Sequence, residues 1–128
     1  MDAARLDEVP LFSGLSRRER KAVAQHADEV SLAAETRIVE EGSPAHEVFV
    51  ITSGTADVFE GGDKIRELGP GEVIGEIGVL ETHQRTATVI ATSPIEAIVM
   101  NGPELRAMAN SLPDVHARLQ ALIAERPH

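Results

Sequence analysis

Between residues 29 and 100 every apolar run is cut off at about the length of one strand. Val48-Phe49-Val50-Ile51 is typical, and the cuts fall at Glu41-Gly42-Ser43-Pro44, Ser53-Gly54, Gly61-Gly62-Asp63, Gly69-Pro70-Gly71 and Ser93-Pro94. Valine, isoleucine and threonine suit a pleated, half-buried surface, whereas glycine, proline and aspartate supply the backbone angles of turns. Many short strands at this spacing predict a small sandwich or barrel such as a jelly roll. Gly61-Gly62-Asp63 reads as a hairpin tip, because glycine tolerates positive φ.

The flanks read differently. Residues 1 to about 28 are expected to be helical, with Ser16-Arg17-Arg18-Glu19 as a capping box and a helix to about His26 that buries Ala22, Val23 and Ala27. Residues 101 to 126 return to helix. Asn101-Gly102-Pro103 starts one helix and Ser111-Leu112-Pro113-Asp114 another, since proline is tolerated in a first turn. Leu112, Val115, Leu119 and Leu122 form a stripe under two heptads long. It suits packing onto the barrel or a weak homodimer contact. Met100 and Met108 are expected to fill core gaps. The expectation is one domain over residues 1–128, with helices at 1–28, strands at 29–100 and helices at 101–126.

With 128 residues the chain can bury one real core, and it has no cysteine for disulfides or thiolate chemistry. A net charge of −9 and only three aromatic residues, all Phe, argue against nucleic-acid binding by this chain alone. Its apolar runs fall far short of a membrane span, so a cytoplasmic, membrane-free protein is expected. The five histidines lack HxH or HxxxH spacing, so no metal site is expected, and no catalytic Ser/His/Asp set is evident. Glu40-Glu41 reads as a solvated strand end.

The chemistry concentrates in Gly71-Glu72-Val73-Ile74-Gly75-Glu76-Ile77 and Arg85-Thr86-Ala87-Thr88-Val89. Gly75 lets the backbone approach a ligand closely. A short turn over 76–80 would aim N–H groups at an anion. Arg85 can pair bidentately with phosphate oxygens, with the Thr86 hydroxyl beside it. Glu76 can accept from a ribose hydroxyl. Val58, Ile65, Leu68, Ile77 and Val89 would supply apolar walls for a base.

These stretches, with Glu41-Gly42-Ser43 and Val48 through Val58, resemble the cyclic nucleotide-binding domain family over nearly the whole chain. The resemblance implies an eight-stranded β-roll with helices before and after it, and a phosphate-binding cassette at 75–89. It implies that Glu76 binds the ribose 2′-hydroxyl and Arg85 the cyclic phosphate. Thr86 and the backbone of Gly75, Ile77 and Ala87 would line the same pocket. A threonine after the arginine leaves cAMP and cGMP both open, with cAMP favoured by its frequency in the family.

The function expected is a stand-alone, non-catalytic cyclic nucleotide sensor that regulates an unknown effector protein. Ligand would repack the helices after Asn101, with Leu119, Leu122 or Ile123 as a lid. The alternative is a ligand-silent β-roll, with Glu76 and Arg85 paired to each other, serving as an interaction or dimerisation scaffold.

Overall fold

The computed structural model describes residues 1–42, 47–75 and 87–124. Two 3-10 turns, Ala3–Glu8 and Pro10–Gly14, lead into helix α1 (Arg17–Ala24). Strands β1 (Asp28–Leu32), β2 (Arg37–Val39), β3 (Glu47–Ser53), β4 (Ala56–Glu60), β5 (Asp63–Leu68), β6 (Val73–Ile74), β7 (Thr88–Ala91) and β8 (Ile95–Asn101) follow. Helices α2 (Gly102–Ser111) and α3 (Pro113–Ala124) close the described chain. The strands form two four-stranded antiparallel sheets, β1-β8-β3-β6 and β2-β7-β4-β5. This mainly β architecture with helices at both ends matches the roll expected from the turn spacing.

The run Val48-Phe49-Val50-Ile51 shows how the layers are built. Successive side chains of a strand point to opposite faces, and all four residues are buried. Val48 and Val50 join Val73, Ile98 and Met100 on the face covered by the helices. Phe49 and Ile51 join Ile74, Ile95 and Ala97 on the face toward the second sheet. The first sheet is thus the middle of three layers, with helices outside it and the β2-β7-β4-β5 sheet beyond. The second sheet has one buried face. Its β4 alternates buried Ala56 and Val58 with half-buried Asp57 and Phe59.

Local signals account for the ends of elements. Ser16 Oγ accepts from Glu19 N–H at 3.1 Å and the Glu19 carboxylate accepts from Ser16 N–H at 2.7 Å, the reciprocal capping box expected at α1. The helix stops at Ala24, shorter than expected, and what precedes it is 3-10 turn rather than α-helix. Leu11, Phe12 and Leu15 there are buried against the helical core. Gly61 (φ 59°) and Gly62 (φ 89°) make the β4–β5 turn, which pairs Glu60 with Asp63. Asn101 ends β8 and caps α2 directly, its side-chain oxygen accepting from Glu104 N–H at 2.9 Å. No linker separates strand from helix.

Met100 and Met108 are fully buried in the helical core, as expected. So is Leu119, with Leu112, Val115 and Leu122 partly buried against the same cluster. The stripe on α3 therefore packs on this chain's own core.

Candidate ligand-binding site

Two ends of chain frame the site. Gly75 follows β6 in the first sheet, and Ala87 precedes β7 in the second, so the chain passes from one sheet to the other between them. Gly75 is buried with φ 99°, a left-handed angle that costs a residue with a Cβ. Glu76, Ile77, Arg85 and Thr86 lie outside the described residues. Ala87 is partly buried against the cluster between the sheets.

That cluster holds most of the expected walls. On the inner face of the second sheet, Val89 stands opposite Val58, and Val58 opposite Arg66. The next row is Ala91, Ala56 and Leu68. Val58, Val89 and Leu68 are at most 2% exposed. Phe49 and Ile74 close the cluster from the first sheet, next to Gly75. The sequence reading did not single out these two residues, although the period-two pattern of β3 is enough to place Phe49 on that side.

Ile65 does not share this face. It is 49% exposed, the residue skipped where the β4–β5 register shifts between Val58 and Phe59. The physical reason is its spacing of three from Leu68, which puts the two on opposite faces of a regular strand. Arg66, two before Leu68, takes the inner position instead. Its guanidinium meets Glu72 across the gap between the sheets, Nη2 to Oε2 at 3.4 Å. Glu72 is anchored in turn, its carbonyl accepting from Ile51 N–H at 2.9 Å.

Nearby polar groups are structural. Glu41 is exposed, as expected of a solvated strand end, and also makes two hydrogen bonds. Its carboxylate accepts from Gly61 N–H at 2.9 Å and its own N–H donates to Thr88 Oγ1 at 3.1 Å, tying the β4–β5 turn to β7. Among the described residues, no cluster of three His, Asp or Glu could hold a metal ion. No described helix is long and apolar enough to cross a membrane.

The expected lid residues sit elsewhere. Leu119 and Ile123 are buried in the helical core with Val48, Val50 and Met100, on the outer face of the first sheet. Leu122 packs by Gly14, where an added Cβ would come within 2.7 Å of its Cδ2. His26 Nδ1 and Glu104 Oε2, 2.8 Å apart, tie the end of α1 to the first turn of α2.

A family model described as the cyclic nucleotide-binding domain matches residues 29–111, from β1 through α2. The chain belongs to the cyclic nucleotide-binding domain family. Within it, the chain is 32% identical over 95 residues to a cAMP-dependent protein kinase regulatory subunit of Hypocrea atroviridis, covering 74% of this chain and 21% of that protein. The chain thus spans well under half the length of that relative. Among solved structures, Thermus thermophilus catabolite activator protein is 28% identical with a TM-score of 0.74, covering 91% of this chain and 57% of the other. A cyclic nucleotide-binding domain from Methylobacillus flagellatus KT superposes with a TM-score of 0.82 at 19% identity, covering 97% and 79%, which speaks for the fold. The β-roll described above is this family's, and the family is one of ligand-binding regulatory domains.

Proposed function

We propose that this chain is a non-catalytic sensor that binds a cyclic purine nucleotide in the roll and passes the occupancy to a protein partner through α2 and α3. The observation that carries it is the family match over β1 to α2 together with the frame at Gly75 and Ala87. A buried glycine at positive φ begins a passage between the sheets whose sequence holds Glu76, Ile77, Arg85 and Thr86. In this reading Arg85 clamps the phosphate, Glu76 takes the ribose 2′-hydroxyl, Thr86 donates beside them, and Val58, Leu68 and Val89 support the base. The regulatory subunits similar to this chain are named for cAMP dependence, which makes cAMP one ligand to test and cGMP the other.

Signal transfer is proposed as a population shift about Asn101-Gly102-Pro103. A full undocking of α3 would expose Leu119 and Ile123, at about 1.5–3 kcal/mol each. A ligand needs roughly 5.5 kcal/mol of preference to swing an equilibrium from 1:99 to 99:1. The two figures are comparable, so undocking would use most of that preference. A pivot at the α2 cap that keeps Leu119 buried is the cheaper movement.

Thermal unfolding of wild type and Arg85→Ala with and without nucleotide tests the proposal. At 100-fold excess over Kd, cyclic nucleotide should stabilise wild type by about 2.7 kcal/mol and the variant far less. Equal stabilisation of both would remove Arg85 from the site. No stabilisation of either at millimolar ligand would favour the ligand-silent scaffold.

A further inference from the structure

Along β8 the outer face of the first sheet changes character. Alternate residues of a strand share a face. On this one Met100 and Ile98 are buried in the helical core, whereas Glu96 is exposed. Its cross-strand neighbours are Ser31 on β1 and Ser53 on β3. Ser31 Oγ donates to the Glu96 carboxylate at 2.7 Å. Between this polar row and the 3-10 turns around Val9 and Pro10 lies an open groove of about 350 Å³. Among the described residues, none of α1, α2 or α3 lines it.

Three carboxylates line the groove, Glu8, Glu29 and Glu96, against one cation, Arg5. Arg5 stands between two of them, 2.8 Å from Glu29 and 3.7 Å from Glu8. Glu96 has a hydroxyl partner and, among the described residues, no cationic one. The set therefore carries two uncompensated negative charges beside an apolar wall. Glu29 pairs with Ile98 and Ser31 with Glu96, so Glu29 and Glu96 are diagonal neighbours on adjacent strands. Such neighbours lie about 7–8 Å apart. Residues i and i+2 of an extended chain point the same way and lie about 6.6 Å apart, which matches. We propose that this groove docks an extended basic segment of a partner protein. Two cationic side chains, two residues apart, meet Glu29 and Glu96, with their methylene stems over Val9 and Pro10. Arg5 keeps Glu8 when the incoming cation takes Glu29. The net charge of −9 draws a cationic segment in from a distance, and the groove gives it a register.

Two capped, dye-labelled peptides of equal charge and composition test it on the full chain. One alternates its cations, Ala-Arg-Val-Arg-Ala-Gly, and the other sets them side by side, Ala-Arg-Arg-Val-Ala-Gly, so that an extended chain points them to opposite faces. Titrated at low salt, the alternating peptide should bind about fivefold tighter. Glu29→Gln/Glu96→Gln should weaken it about tenfold. Glu60→Gln/Asp63→Asn removes the same charge at the β4–β5 turn of the second sheet and should change it by less than about twofold. Amide NMR shifts should fall on Ser31, Thr52 and Glu96. Equal loss in both double variants would mean diffuse attraction to an acidic chain and would overturn the proposal. So would equal binding of the two peptides, shifts confined to other surfaces, or no binding at millimolar peptide. No nucleotide is present in these titrations, so their outcome is independent of the cyclic nucleotide reading.

Discussion

Truncating Leu119 to alanine probes the placement of α3. The side chain is fully buried among Val48, Val50, Met100, Leu105 and Met108, on the outer face of the first sheet. A buried Leu→Ala change removes the transfer free energy of the lost methyls and leaves a cavity that closes only in part. Together these come to about 2–5 kcal/mol. For a domain of this size unfolding entropy near 2.1 cal/mol/K per residue makes each kcal/mol worth about 4 °C, so Tm should fall by roughly 8–20 °C. The paired control is Ile65→Ala at the exposed position on β5, where the expected change is within about 0.5 kcal/mol. Urea unfolding of both variants, with m checked for constancy, gives the two values. A loss below about 1 kcal/mol for Leu119→Ala would refute the docking of α3 on this core. A loss for Ile65→Ala as large as that for Leu119→Ala would refute the strand register that turns Ile65 outward.

Three further outcomes follow from local geometry. Gly54→Ala should destabilise by more than about 1 kcal/mol in the same assay, because φ is 95° and the new Cβ would lie 2.3 Å from the Pro94 carbonyl oxygen, a backbone atom with little room to yield. Ser16→Ala should cost about 1 kcal/mol, since it removes the acceptor for Glu19 N–H in the capping box. Burial pushes the His116 imidazole below its ordinary range. The unfolded chain then takes up the proton at higher pH than the folded one, so this contribution is complete above the ordinary imidazole range. It is lost as pH falls through that range to the folded value. Unfolding curves from pH 7.5 down to pH 5 should show the decline, and His116→Gln should flatten it.

Much of the fold was legible because turn chemistry and strand period are local. Gly61-Gly62 could only suit a tight turn, and Ser16 with Glu19 forms the capping box at the expected helix start. The three-layer arrangement was implicit in Val48-Phe49-Val50-Ile51, since a strand apolar on both faces needs cover on both. What escaped was decided at longer range. The stripe on α3 has the same spacing whether it meets its own core or a partner, and only tertiary packing chooses. The inner face of β5 was misjudged because hydrophobicity pointed to Ile65, while register placed Arg66 there. Glu41 is exposed, as a solvated strand end should be, but its bond to the Gly61 amide was not legible because that partner lies 20 residues along the chain. The proposed cassette at 75–89 remains a pattern of residue types, of which Gly75 and residues 87–89 lie among the described residues.

The most direct test of the central claim is calorimetric titration of the nucleotide-free chain with a cyclic nucleotide, with 5′-AMP as the control. The account predicts saturable one-site binding of cAMP or cGMP, at least about 100-fold tighter than 5′-AMP, whose dianionic open phosphate does not fit a site built around the cyclic ester. Absence of heat and of thermal stabilisation at millimolar cAMP and cGMP would contradict it. The β-roll would then stand as a protein-binding scaffold.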